Sequence, residues 1–167
     1  ACFGATIPNL SAIGSNVTWY SDTSLTTQVG TANNYATGHS SVGLYTYYVT
    51  ETLNGCEGPS IPVTLEIYAV PSFPSVTNQT ACFGSTIPDL IATGSNITWY
   101  SDASLTTQVF TGNNFPTLQT APGIYTYYAT TTDANGCESV SSSASLEIYT
   151  LPNAPTANNE VACTGTT

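Results

Sequence analysis

The nine residues GSNVTWYSD at 14–22 return as GSNITWYSD at 94–102. No other feature constrains this chain more. Setting residue n against n+80 aligns ACFGATIPNLSAIGSNVTWYSD (1–22) with ACFGSTIPDLIATGSNITWYSD (81–102). SLTTQV at 24–29 recurs at 104–109, and GLYTYYVT at 43–50 matches GIYTYYAT at 123–130. NGCE at 54–57 returns at 135–138, one residue later than the period, and LEIY at 65–68 returns at 146–149. VPSFPSVTNQTACFG (70–84) then matches LPNAPTANNEVACTG (151–165), which opens a third copy. A solenoid unit usually runs roughly 20–50 residues, so this longer period suits an independently cored domain.

The expected organisation is a string of small domains bounded by the proline pairs Pro71/Pro74 and Pro152/Pro155. Proline stiffens a linker and sits at the start of an edge strand. On this division residues 1–69 lack a first strand, 70–149 form a complete domain, and 150–167 supply the first strand of the next. The chain opens on Ala1 rather than Met, which reads as a processed product or a window of a longer protein.

Apolar residues alternate with period two, the spacing of strands. Val17 and Trp19 share one face and Thr18 and Tyr20 the other. Tyr45, Tyr47 and Val49 share a face, as do Val63, Leu65 and Ile67. Asn54-Gly55 and Asn135-Gly136 are hairpin dipeptides that accept positive φ cheaply. Short strands with regular turns indicate a sandwich or barrel. One Trp on a middle strand, a late Tyr-rich strand and a cysteine pair indicate an all-β, tandem immunoglobulin-like sandwich.

Cysteines fall at 2, 56, 82, 137 and 163. The simplest pairing is one disulfide per repeat, Cys2–Cys56 and Cys82–Cys137, although other connectivities are open. Cys163 begins the third copy and is left unpaired in this window. Closing a loop of that length is worth ~4 kcal/mol in the chain-entropy model. Disulfides indicate an oxidising compartment, outside the cell or at its surface. The spacings lack the short CxxC of zinc sites.

The order Cys-x-Gly, IPxLxAxGxxxTWYS, YTYY and NGCE resembles the immunoglobulin-like repeat of very large secreted surface proteins of the Bacteroidota. Those proteins often carry a type IX secretion signal and a gliding-motility-associated domain. The resemblance covers both repeats and implies an extracellular adhesin, stalk or filament component. The family brings no catalytic residues.

With no Lys or Arg and ten carboxylates, the net charge is −10. Nucleic acid is excluded as a partner, since phosphate neutralisation needs cations. No apolar run is long enough to span a bilayer. Enzyme chemistry finds no foothold: the only histidine is His39, replaced by Gln119 in the second repeat, and it reads as an exposed loop residue. The recurring carboxylates Asp22/Asp102, Glu57/Glu138 and Glu66/Glu147 read as solvated surface. Calcium is a rival use for so acidic a chain, yet no DxDxDG loop is present. No cofactor is expected. Sequons at Asn9, Asn16, Asn78 and Asn96 follow from an Asn/Thr-rich composition.

One candidate binding face remains. Tyr20, Tyr48 and Tyr68, repeated as Tyr100, Tyr128 and Tyr149, should line the outer side of three neighbouring strands. Such rings steady a sheet by cross-strand packing, or stack on surface glycans or a protein. The expected function is therefore a structural or adhesive stalk, with neighbouring repeats or identical chains as partners. The alternatives are a carbohydrate-binding module on the tyrosine face, or a filament subunit assembled by strand exchange.

Overall fold

A computed structural model of the chain describes residues 1–159. Among them every regular element is a strand. In chain order the first seven are β1 (Leu10–Ser11), β2 (Val17–Tyr20), β3 (Gln28–Gly30), β4 (Asn34–Tyr35), β5 (Gly43–Leu53), β6 (Cys56–Glu57) and β7 (Ile61–Ile67). The other eight are β8 (Ser75–Thr77), β9 (Gln79–Cys82), β10 (Leu90–Thr93), β11 (Thr98–Tyr100), β12 (Gln108–Thr111), β13 (Asn114–Phe115), β14 (Gly123–Thr130) and β15 (Ser142–Tyr149).

They enclose two separate cores. One is built around Trp19, Tyr47, Val49, Leu65 and Ile67, the other around Trp99, Tyr127, Ala129, Leu146 and Ile148. The expected alternation holds: Val17, Trp19, Tyr47, Val49, Leu65 and Ile67 are all buried. In the C-terminal half a five-stranded sheet, β12-β11-β14-β15-β9, faces a three-stranded sheet, β13-β10-β8. This is an immunoglobulin-like sandwich. The N-terminal half repeats it with β3-β2-β5-β7 facing β1-β4.

The indole of each Trp is fully buried, and burial of its one donor demands a partner. Trp19 Nε1 donates to the Ala32 carbonyl at 2.7 Å, and Trp99 Nε1 to that of Gly112 at 3.0 Å. Tyr35 stacks on Trp19 with ring centres 5.7 Å apart, while Phe115 lies 5.4 Å from Trp99.

The first strand of the C-terminal half divides between the two sheets. β8 pairs antiparallel with β10, then β9 crosses to pair parallel with β15. Asn78 sits at the crossing, its Oδ1 accepting the Ser145 amide at 2.9 Å. Pro74 is buried just ahead of β8, at the sheet edge where a missing N–H costs nothing. In the N-terminal half Cys2 bridges Tyr68 in parallel as β9 does Tyr149, but β1 has β4 alone as a neighbour. Residues 150–159 repeat the sequence of this first strand, yet they form no strand and are exposed. Residues 160–167 of the expected third repeat lie outside the described residues, Cys163 among them.

Asn54-Gly55 turns as anticipated, with φ of 52° and 80°. Asn135-Gly136 does not form the same hairpin, because the second copy carries one extra residue there. Asp133 takes over the turn: its Oδ1 accepts the amides of Asn135 and Cys137 at 2.9 and 2.8 Å.

The halves differ in how tightly the entry to β2 and β11 is packed. A Cβ at Gly94 would lie 2.4 Å from Thr131 Cγ2 and 2.9 Å from Ile97 Cδ1, whereas one at Gly14 meets nothing closer than 3.3 Å. Gly94→Ala is expected to lower stability by about 1–3 kcal/mol through overpacking. Gly14→Ala should cost well under half as much. Urea denaturation of the two variants, followed by tryptophan fluorescence, compares them.

Candidate functional site: the junction between the two cores

The cysteines do not pair within a repeat. Cys2 is bonded to Cys137, with S–S 2.05 Å and Cα atoms 5.5 Å apart, across a sequence separation of 135. Cys56 and Cys82 are free thiols, both exposed. The expected Cys2–Cys56 and Cys82–Cys137 bridges are therefore corrected, and the reason is geometric. Cys82 lies beside Tyr149, at one end of β15. Cys137 follows β14 at the opposite end, near Ser142. The length of β15, about 23 Å, separates these poles, and a disulfide tolerates Cα atoms at most ~7 Å apart. Cys2 and Cys56 are held apart by β7 in the same way.

The bridge thus joins the trailing pole of the N-terminal sandwich to the leading pole of the C-terminal one. Cys137 is wholly buried there. Asp133 stands close enough to add to the upward pull on the Tyr68 phenol, whose main cause is its hydrogen bond to Glu66. The useful signal in the sequence was the inserted residue in TTTDANGC against TETLNGC. It marks the place where Asp133 reshapes the turn around Cys137, and periodicity alone gave it no meaning.

The tyrosines fall into two groups rather than one stripe. Tyr20 opposes Tyr48 and Tyr100 opposes Tyr128 in the ladder. Tyr68 and Tyr149 lie at the other ends of their sheets, against Cys2 and Cys82. Tyr20 is also buried. Its hydroxyl donates to Glu57 Oε1 at 2.7 Å, and Thr50 Oγ1 donates to the same oxygen at 2.6 Å. Tyr100 and Thr130 repeat this clasp on Glu138 at 2.8 and 2.6 Å. Tyr68 and Tyr149 each donate to the glutamate two residues earlier, Glu66 and Glu147.

The recurring carboxylates are accordingly not merely solvated, which corrects that expectation. In a chain without Lys or Arg, hydroxyls and amides are the donors they have. Asp22 accepts the amides of Thr26 and Thr27 at 3.1 and 2.7 Å, and Asp102 those of Thr106 and Thr107 at 3.1 and 2.8 Å. These clasps hold Leu25 and Leu105 in the left-handed region, at φ of 56° and 57°. Among the described residues no group of three or more His, Cys, Asp or Glu is placed to hold a metal ion.

His39 is half-buried rather than exposed. Its ring stacks on Tyr45 with centres 3.6 Å apart, and Nε2 is hydrogen-bonded to the Tyr47 hydroxyl at 2.8 Å. Gln119 Nε2 donates to the Tyr127 hydroxyl at 2.9 Å in the other half. The two residues share one structural task, which is why one can replace the other. The sequon asparagines Asn16 and Asn96 are also engaged, donating to the carbonyls of Thr52 and Thr132.

Residues 71–149, the span of the C-terminal core, match the family described as "Ig-like domain CHU_C associated". A search of curated proteins found no match. Among solved structures, the fibronectin(III)-like modules of Clostridium thermocellum CbhA are similar at 16% identity and a TM-score of 0.45. That similarity covers 92% of this chain and 86% of that one. Drosophila N-cadherin EC1-3 is similar at 15% identity and a TM-score of 0.30, over 90% of this chain and 63% of that one.

The carboxylate clasps carry a pH signature. Backbone amides hold Asp22 and Asp102 below their ordinary 3.8, and the Thr50 and Tyr20 hydroxyls hold Glu57 below 4.5. A carboxyl depressed in the folded state stabilises fully above its unfolded pKa, and that contribution is lost as pH falls through the folded value. Stability should hold at neutral pH and decline below about pH 4. A D22N/D102N double variant should be less stable at neutral pH and show a shallower acid decline, read by urea midpoints across pH. At the alkaline side, burial pushes Tyr47 to about 12. A raised phenol stabilises below its unfolded pKa of 10.0 and loses that contribution as pH rises toward the folded value. Replacing Tyr47 by Phe should flatten the alkaline decline, followed by phenolate absorbance together with unfolding.

Proposed function

We propose that this chain is a segment of a tandem-repeat, extracellular stalk or adhesin filament, non-catalytic, whose repeats are locked to one another rather than within themselves. The observation that carries this reading is the Cys2–Cys137 bond between two separately cored sandwiches. Support also comes from the family match, from the resemblance to Bacteroidota surface repeats, and from a cystine of a kind that persists in oxidising surroundings.

The mechanical consequence differs from that of a disulfide inside each domain. An internal bridge limits how far one domain extends once it opens, but leaves the linker to stretch. A bridge from Cys2 to Cys137 encloses the N-terminal core, the linker at Pro71–Pro74 and the C-terminal strands up to β14 within one covalent loop, leaving β15 outside it. Load applied at the two chain ends passes through the cystine, so the N-terminal sandwich and the linker bear little of it, and what remains falls on β15 and the strands it pairs with. The junction then acts as a stiff joint, which suits a protein that must reach away from a surface.

Single-molecule extension tests this. Pulled by its ends, the oxidised chain should extend only by the residues outside the loop, chiefly those after Cys137, β15 included. A reduced sample, or a Cys2→Ser variant, should yield roughly 450 Å more contour length as the enclosed residues are freed. Equal extension with and without reductant would overturn the reading.

A further inference from the structure

A cleft at the leading pole of the C-terminal sandwich takes its lining wholly from residues 71–134, in the middle of the chain. It holds about 500 Å³, within the size usual for small-ligand sites. It also lies at the start of a domain, beside the joint, a place where such sites gather. Three segments meet in it: the linker at 71–73, the turn at 93–96 and the turn at 131–134 that carries the extra residue.

These segments are tied to one another. Thr131 Oγ1 donates to the Ser72 carbonyl at 2.7 Å. The Thr132 amide donates to the Ser95 carbonyl at 3.3 Å, and Asn96 Nδ2 donates to the Thr132 carbonyl at 3.0 Å. Pro74, buried, anchors the linker just past Phe73. Walls held in this way have little freedom left to lose when a ligand enters.

The groups left over have a definite chemistry. Phe73 lines the cleft and is 64% exposed, so its ring is available for stacking. Asp133 Oδ1 is occupied by the amides of Asn135 and Cys137. Its Oδ2 has no partner among the described residues, nor have Asn96 Oδ1, Ser95 Oγ or the Ser95 amide.

The first copy shows how that amide can be taken up within the fold. There Glu51 Oε1 accepts the Ser15 amide at 2.7 Å. Thr131 stands in the place of Glu51 and turns to Ser72, so the Ser95 amide stays open. Thr93 likewise replaces Ile13, Asp133 comes with the extra residue, and the match for Phe73 in the next linker is Ala154. The copies share GSN-TWYSD and part company around this cleft. A repeat that served only as a spacer would need none of these changes.

We infer that the cleft is a saccharide site. It takes a neutral pyranose stacked on Phe73, whose hydroxyls donate to Asp133 Oδ2 and Asn96 Oδ1 and accept from the Ser95 amide. A sugar ring offers in one molecule an apolar face and hydroxyls that both donate and accept. At a net charge of −10 with no Lys or Arg, the chain repels anionic sugars. A guanidinium favours a carboxylate with both oxygens free, and Asp133 has one. The proposal deepens the adhesin reading, on which it rests for its purpose, by naming the ligand class. Extension of the single chain tests the stalk and saccharide titration tests the cleft, so either can fail alone.

The experiment is titration of the oxidised full chain, followed by amide NMR, with maltotriose, cellotriose and mannotriose. Sialyllactose and a cationic arginine peptide serve as rivals. At least one neutral trisaccharide should bind with a Kd of about 10 mM or tighter, with shifts centred on Ser95, Asn96 and Asp133. Phe73→Ala should weaken that binding about tenfold, and Phe73→Trp should preserve it. Asp133→Asn keeps an acceptor for the turn but puts a donor where the free oxygen was, and should weaken binding too. An unchanged urea midpoint shows that the Phe73 variants keep the fold, as the exposure of that side chain leads one to expect. The proposal fails if none of the three trisaccharides shifts the cleft amides, or if the shifts centre on Tyr48 and Tyr128 instead. It fails equally if the arginine peptide or sialyllactose binds better, or if Phe73→Ala binds as tightly as the parent.

Discussion

A buried indole with a single N–H sets the terms for each half of this protein. Trp19 and Trp99 are fully enclosed, and each must spend its donor on a backbone carbonyl. That bond draws the loop at Ala32 or Gly112 over the ring. The loop in turn fixes where Tyr35 or Phe115 enters the small sheet. The aromatic partners then settle the depth at which Tyr47 or Tyr127 packs, 5.1 and 4.9 Å from those rings. His39 and Gln119 finish the arrangement by engaging the buried tyrosine hydroxyls. Two different side chains serve because the requirement is one hydrogen-bonding nitrogen at one place.

With no Lys or Arg in the chain, the carboxylates that recur in both halves are held by neutral donors. In most chains a surface glutamate finds an ammonium, at a gain of ~0–1 kcal/mol. Here Glu57 and Glu138 gather a tyrosine and a threonine hydroxyl each, while Asp22 and Asp102 close their turns on successive amides. Hydrogen bonds to charged acceptors are shorter and stronger than neutral ones. They also demand donors at fixed positions along the backbone, so the acidic residues recur with their partners in both halves. The repeat preserves clasps, not isolated charges.

Strand faces were legible in the residues because a period-two pattern has only two phases, and burial selects one. The buried sets of β2, β5 and β7 follow directly. The tyrosines do not form the single stripe that alternation suggests. Alternation says that Tyr48 and Tyr68 share a face, but not that they sit at opposite ends of it, nor that Glu57 closes over Tyr20. The turn at Asn135-Gly136 departs from the expected hairpin for a related reason. One extra residue changes which backbone groups can close a hairpin, and Asp133 supplied the alternative.

The sequence by itself determined an all-β chain, the inward residues of its strands, its period and the positions of its cysteines along that period. These are local properties, set by side-chain chemistry and by a two-residue alternation. Which cysteine meets which was decided only in three dimensions. An immunoglobulin-like sandwich sends its early and late cysteines to opposite poles, farther apart than any disulfide can reach. The nearest thiol to Cys2 thus belongs to the following sandwich, and a bond that spacing assigned to each domain became the bond between them.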